Sequence, residues 1–161
     1  MVTTDDIWKL LEGVPDPEIP VLSILDLGIV RDVTLEENSC TITITPTYSG
    51  CPAMKYIEEE IERTLSASIS LPLEVKTVLS PAWTTDWISE SGRSKLKDYG
   101  IAPPENEVDK SVLFAEPTVV PCPRCDSSDT KMVSQFGSTA CKAQYQCNQC
   151  HEPFDYFKCL K

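Results

Sequence analysis

The sequence predicts an α+β chain of two modules: a small α/β sandwich followed by a small four-cysteine β module. Three observations carry this. Two alternating apolar stretches flank a polar turn at Glu37-Asn38-Ser39, the signature of a β-hairpin. An apolar stripe with helical spacing follows at Met54, Ile57, Ile61 and Leu65. Six of the eight cysteines then crowd into the last quarter of the 161 residues.

From the N-terminus, Thr4 is a candidate cap for a helix through about Glu12, with Ile7, Leu10 and Leu11 on one face and Gly13 as its stop. Pro15, Pro17 and Pro20 then exclude regular helix, because each removes a donor and restrains the preceding residue. A stiff loop carrying Asp16 and Glu18 is expected. Val21 to Leu27 is apolar apart from Asp26, and Gly28 interrupts the run. Ile29 to Glu36 reads as a strand with Ile29, Arg31, Val33 and Leu35 on one face. In the second strand Cys40, Ile42 and Ile44 alternate with Thr41, Thr43 and Thr45, so Cys40 reads as core filling.

Thr47-Tyr48-Ser49-Gly50-Cys51-Pro52 joins that strand to the amphipathic helix. Gly50 allows a sharp turn, and proline suits a first helical position. Cys51 is thereby set at or beside the helix N-cap, where free N–H groups and the helix dipole favour a thiolate. A thiolate binds metal or attacks an electrophile; the competing reading is a buried cysteine acting as a small apolar residue. The helix runs from Pro52 to about Leu65, with Glu58, Glu59, Glu60, Glu62 and Arg63 mostly off the apolar stripe, as on a solvated face. Leu73 to Leu79 suits a third strand beside the hairpin. Trp83 and Trp87 imply either a packed lid or an exposed anchor. A short helix ends near Tyr99 and Gly100. The predicted organisation is residues 1–101 as the α/β domain, 102–118 as a proline-rich linker and 119–161 as the cysteine module.

In that module Cys122 and Cys125 form one C-x-x-C pair, and Cys147 and Cys150 form another after 21 intervening residues. The spacing is that of a zinc ribbon, in which two knuckles complete a tetrahedron of four thiolates. Short strands are expected at Lys131 to Phe136, Ala143 to Gln146 and Pro153 to Phe157. So short a module holds little core, and the metal supplies much of its folding energy. Four-thiolate sites also accept iron or an iron–sulfur cluster. Cys141 and Cys159 are surplus to the tetrahedron. They are open to three readings: buried thiols, a second site, or substitutes within the four.

The net charge is −11, from 14 basic and 25 acidic residues, which argues against binding nucleic acid through its phosphates. No apolar run is long enough to span a bilayer. The first residues lack the basic and apolar regions of a signal peptide, so a cytoplasmic location is expected. There the cysteines read as metal ligands or reactive thiols before disulfides. His151 is the single histidine, which argues against Ser-His or Cys-His catalysis and against an enzyme of that kind.

Asp16-Pro17-Glu18-Ile19-Pro20, Leu27-Gly28-Ile29-Val30 and Thr47-Tyr48-Ser49-Gly50-Cys51-Pro52 resemble the motifs of the SufT-like iron–sulfur assembly family. Ser80-Pro81-Ala82-Trp83-Thr84-Thr85-Asp86-Trp87-Ile88, Tyr99-Gly100-Ile101-Ala102-Pro103-Pro104, the stretch from Phe136 to Lys142 and that from Glu152 to Cys159 are similar to the PaaD family. Members of that family are the D components of bacterial phenylacetyl-CoA epoxidase systems in phenylacetate degradation. The resemblance implies an accessory, non-catalytic role in iron–sulfur cluster assembly or delivery, or in maturing a metal centre of the system. It implies as partners the di-iron oxygenase subunits, a reductase carrying flavin and a [2Fe–2S] cluster, and the iron–sulfur assembly machinery. Carried over by motif, Cys51 is a transient cluster ligand, with Asp16 and Glu18 as the carboxylates of the adjacent loop. Structural zinc on Cys122, Cys125, Cys147 and Cys150 completes the expected cofactors. A homodimer sharing a cluster through two Cys51 residues is compatible with this. So are a structural or regulatory docking subunit and an electron-transfer component.

Overall fold

In the computed structural model, which describes residues 1–104 and 119–158, the predicted hairpin lies at the centre of the first of two units. Its strands are β1 (Val30–Leu35) and β2 (Cys40–Ile44), paired antiparallel. β3 (Leu73–Thr77) adds to the far side of β2 in parallel register, from Cys40↔Leu73 to Ile44↔Thr77. A parallel neighbour cannot be reached by a tight turn and needs a crossover. Helix α2 (Ala53–Ser66) is that crossover. Helix α1 (Thr4–Glu12) packs against both β1 and α2, so both helices lie on one face of the sheet.

The core is the meeting of these patterns. Cys40, Ile42 and Ile44 are wholly buried, and α2 sets Met54, Ile57, Ile61 and Leu65 among the buried residues. Each fully buried aliphatic side chain contributes roughly 1.5–3 kcal/mol relative to exposure. The fold class is as expected.

Several local details differ. The cap of α1 is Thr3, not Thr4: its hydroxyl accepts from the Asp6 N–H, and the Asp6 carboxylate accepts from the Thr3 N–H. This reciprocal pair satisfies two orphan donors, which Thr4 could not do without an acid at residue 7. Pro52 is the N-cap of α2 rather than its first helical residue. In β1 the register shifts between Val30 and Asp32. This bulge puts Arg31 outside the alternation, so Val30 and Val33 are buried and Arg31 is exposed.

The two units divide at Met1–Gly92 and Arg93–Lys161, nearer the N-terminus than the boundary expected after residue 101. Helix α3 (Glu90–Tyr99) is followed by β4 (Ile101–Ala102), which pairs in parallel with β7 (Pro153–Phe157). Ladder pairing thus assigns residues 101–102 to the second sheet and not to the first module or a linker. The linker expected at 102–118 lies, from 105 onward, outside the described residues. The second sheet has the order β4-β7-β6-β5, with β5 (Thr130–Ser134) and β6 (Lys142–Cys147) antiparallel neighbours. Its small core joins Val120, Ala143, Tyr145, Phe154 and Tyr156 to Cys122 and Cys147. Tyr145 stacks on Phe154 and meets Tyr156 edge-on.

Two glycines test the first unit. Gly28 and Gly50 both have positive φ, +68° and +77°. A Cβ at Gly28 would lie 2.5 Å from the Trp87 carbonyl oxygen, whereas one at Gly50 would meet nothing within 4 Å. Gly50→Ala is expected to cost about 1 kcal/mol from backbone conformation alone, and Gly28→Ala about 3 kcal/mol or more from conformation plus overlap. All three tryptophans lie in the first unit, so urea unfolding followed by tryptophan fluorescence reports its stability. Equal costs at the two positions would contradict the packing described.

Candidate functional site

The topology of the first unit gathers three loops at one end of its sheet. β1 begins beside the end of β2, and β3 ends beside it too. The segment 14–29 therefore enters there, and the segments 45–52 and 78–89 leave there. Backbone bonds tie them together: Thr45 N–H donates to the Ile29 carbonyl at 2.9 Å, and Val78 N–H to that of Ile44 at 2.8 Å. α2 starts from the same end.

Cys51 lies in the middle loop, directly before the α2 N-cap. It is half-buried and forms no disulfide. Its carbonyl accepts from the Met54 N–H, and its own N–H donates to the Tyr48 carbonyl. No side chain caps α2, and its first turn carries no acid. Cys40, by contrast, is fully buried in β2, and burial raises its thiol pKa. The two cysteines of this unit thus differ in accessibility.

Asp16 turns inward. Its side chain is buried, and Oδ1 accepts from the Glu18 and Ile19 N–H groups, both at 2.8 Å. The carboxylate thereby shapes its own loop, while Glu18 is half-buried. Sequence reasoning passed over Asp26, which is also buried and joins two segments. Its Oδ2 accepts from the Ser23 N–H at 3.0 Å and its Oδ1 from the Ser89 hydroxyl at 3.2 Å. Trp83 packs over this loop, and its indole N–H donates to the Leu27 carbonyl at 2.8 Å. Trp87 meets Gly28, and the Arg31 guanidinium lies 3.5 Å from its ring centroid. Both tryptophans therefore behave as a packed cover. Thr45 was also passed over. It is buried, and its hydroxyl has no hydrogen-bond partner among the described residues. Such a group costs about 1–3 kcal/mol, and nothing in the alternating strand pattern marked it.

In the second unit the two C-x-x-C pairs form matching knuckles. Cys122 N–H donates to the Ser127 carbonyl and Cys147 N–H to that of Glu152, the same five-residue reach in each. The residue after each second cysteine has positive φ: Asp126 at 58° and His151 at 64°. His151 therefore turns the chain and is not among the converging donors. The Asn148 side chain joins the knuckles by donating to Asp129 at 2.9 Å.

The four sulfurs all lie within 4.8 Å of one another. Cys122 and Cys150 sulfurs are 3.7 Å apart, and Cys125 and Cys147 sulfurs 3.6 Å. A tetrahedron with zinc–sulfur bonds of about 2.3 Å has edges of about 3.8 Å, so the donor set fits zinc closely. These separations are far too long for disulfides. Cys141 stands apart, buried, with its sulfur 3.0 Å from the Thr139 hydroxyl. Cys159 lies outside the described residues. Zinc held by these four thiolates would act as a structural clamp, and the chain supplies both knuckles and the tyrosine-lined core beneath.

Crowding sets the protonation of the sulfurs. The Cys150 N–H, aided by that of Gln149, holds the Cys147 thiol down to about 7 against desolvation. At Cys125 the Ser127 N–H favours the thiolate, but desolvation and the neighbouring sulfurs override it and push the thiol up to about 12. Cys150 is raised in the same way, against the Glu152 N–H. Several thiolates cannot share so small a space without a cation.

Two family profiles match the chain. One is described as "Iron-sulfur cluster assembly protein" and spans residues 4–79; the other is "PaaD zinc beta ribbon domain" and spans 106–158. Over 155 residues the chain is 50% identical to an Escherichia coli (strain K12) protein provisionally named as the D component of 1,2-phenylacetyl-CoA epoxidase. The match covers 96% of this chain and 92% of that one. The chain belongs to the PaaD family. A Bacillus subtilis (strain 168) protein named as an Fe-S protein maturation auxiliary factor is 38% identical, covering 57% of the PaaD-family chain and 91% of its own. Among solved structures, a domain of unknown function from Bacillus anthracis matches with a TM-score of 0.54 at 34% identity. It covers 57% of the PaaD-family chain and 89% of that one. No helix among the described residues is long and apolar enough to cross a membrane.

The raised thiols fix the sign of a pH effect. Metal-free Cys125 and Cys150 hold protons at neutral pH, so a metal must displace them. Zinc affinity is expected to rise about tenfold or more per pH unit between pH 6 and 8, and the metal's contribution to stability to be lost as pH falls. Chelator competition across that range measures it, and a flat profile would contradict thiolate ligation. In the zinc-loaded protein, a thiol reagent should modify Cys51 rapidly and Cys40 only on unfolding. Peptide mapping of alkylated protein distinguishes them.

Proposed function

We propose that this PaaD-family chain is an accessory protein of a phenylacetyl-CoA epoxidase system, without turnover of its own. It acts in iron–sulfur cluster assembly or delivery, or in maturing a metal centre of the oxygenase or reductase. The observation that carries this reading is Cys51: a half-buried cysteine, outside the zinc tetrad, in a loop at the sheet end where three segments meet. Relatives of the first unit are named as Fe-S protein maturation auxiliary factors, which supports the same assignment.

In this reading the cluster, or its iron, is cargo. One thiolate gives an incomplete ligand set, so the cargo must be shared with a second thiol and can leave. Glu18, half-buried, is the second carboxylate of the same loop, while Asp16 keeps the loop in shape. Zinc on Cys122, Cys125, Cys147 and Cys150 holds the second unit folded and takes no part in transfer.

Cys51→Ala decides between this role and simple docking. The variant should fold, keep its zinc and still associate with its partners. The client enzyme produced beside it should contain less than about half the cluster iron and sulfide found with wild type. Normal cluster content in the client would sink the proposal. Cys147→Ser is expected to release zinc and unfold the second unit while the tryptophan fluorescence of the first is preserved.

A further inference from the structure

Among the described residues β5 is an edge strand of the second sheet, and it exposes apolar side chains that nothing in the zinc site requires. Met132 is 38% exposed, Val133 56% and Phe136 64%. The register shifts between Met132 and Ser134, so Val133 is the bulged residue and is pushed outward. Phe136 sits in the turn beyond, and that turn is pinned. The Ser134 hydroxyl donates to the Phe136 carbonyl at 2.8 Å, and Lys158 Nζ donates to the Gln135 carbonyl at 3.1 Å. Lys158 Nζ also lies 4.6 Å from the Phe136 ring centroid. The patch is therefore held in shape.

Its charge is unlike the rest of the chain. Residues 1–92 carry 16 acidic and 5 basic residues, whereas residues 93–161 carry 9 of each. Residues 130–151 contain no acid and include Lys131 and Lys142. Lys142 is buried and paired with Asp155 at 3.7 Å, so among the described residues Lys131 and Lys158 are the cations beside the patch.

We infer that Met132, Val133 and Phe136, flanked by Lys131 and Lys158, form a docking surface for an acidic face of another epoxidase subunit bearing an apolar side chain. A second copy of this chain is a poorer occupant on two counts. The bulge breaks the even ladder that edge-to-edge pairing of two β5 strands would need. The exposed apolar area is on the order of a few hundred Å², below the ~800 Å² per partner of a stable interface. An acidic partner gains from the lysines and uses so small a patch for a reversible contact. The identity of the partner system rests on the epoxidase reading; the surface does not depend on Cys51.

The test uses the zinc-loaded full chain and the other purified subunits of the epoxidase system, each assayed separately by biolayer interferometry. Wild type should bind one subunit. Val133→Glu combined with Phe136→Ser should weaken that binding about tenfold or more, with zinc content and circular dichroism unchanged. Lys131→Glu should weaken it about threefold at low salt and less at about 0.5 M salt. Tyr56→Ser, an exposed aromatic on α2, should change nothing. Undiminished binding by the double variant overturns the surface and leaves the epoxidase reading standing. Binding of wild type to no subunit overturns both. A concentration-dependent homodimer abolished by the double variant overturns the proposed occupant in favour of a second copy.

Discussion

The parallel ladder between β2 and β3 is the constraint on which the first unit depends. Parallel strands cannot be joined by a turn, so the chain must travel the length of the sheet and return. α2 makes that journey, and its buried stripe covers the sheet as it goes. One consequence is positional. The C-terminal ends of two adjacent strands and the start of the intervening helix fall at the same end, the general location of ligand sites in parallel α/β units. The antiparallel partner β1 adds its entry loop there. Cys51, the Asp16 loop and the tryptophan-bearing segment are thus collected by strand topology.

What holds those loops is polar as much as apolar. Asp26 binds Ser23 on one side and Ser89 on the other, and the Ser89 hydroxyl in turn accepts from the Gly92 N–H at the start of α3. A buried carboxylate is tolerated because its lone pairs are met by donors in fixed positions. Gly28 is the matching backbone device, since only a residue without a Cβ lets Trp87 approach. The strap at 80–92 is therefore an integral wall of the first unit.

This division explains what was legible in the sequence. Alternation at Cys40–Ile44, the α2 stripe and the two C-x-x-C pairs are local patterns, and local spacing is enough to read them. The capping box at Thr3 is equally local, since Asp6 stands three residues on, and that acid alone separates two adjacent threonines otherwise alike as caps. Other features were decided by distant residues. Asp26 meets a partner 63 positions away and Leu27 one 56 away. Ile101 pairs with Asp155. The bulge at Arg31 is invisible in a run whose apolar residues fit either phase. At the site, the position of Cys51 before α2 could be read, but the inward turn of Asp16 could not. An acid in a proline-rich loop is as good a partner for its own backbone as for a cation.

The two units solve stability by different means, and their electrostatics follow from that. The first buries many aliphatic side chains and can tolerate 16 acids on and near its surface, because self-repulsion is small beside that burial. The second has a core of a few residues and two of its own metal ligands, Cys122 and Cys147. Excess charge there would compete directly with a folded state that depends on four mutually repelling sulfurs and one cation. Its balance of 9 acids and 9 bases removes that competition. The acidic field confined to residues 1–92 raises the local concentration of cations around the unit that bears Cys51. On the proposed function, cargo capture at the first unit and metal retention in the tetrad would be governed by separate physics: a diffuse, salt-sensitive attraction for the first, and closed thiolate geometry for the second.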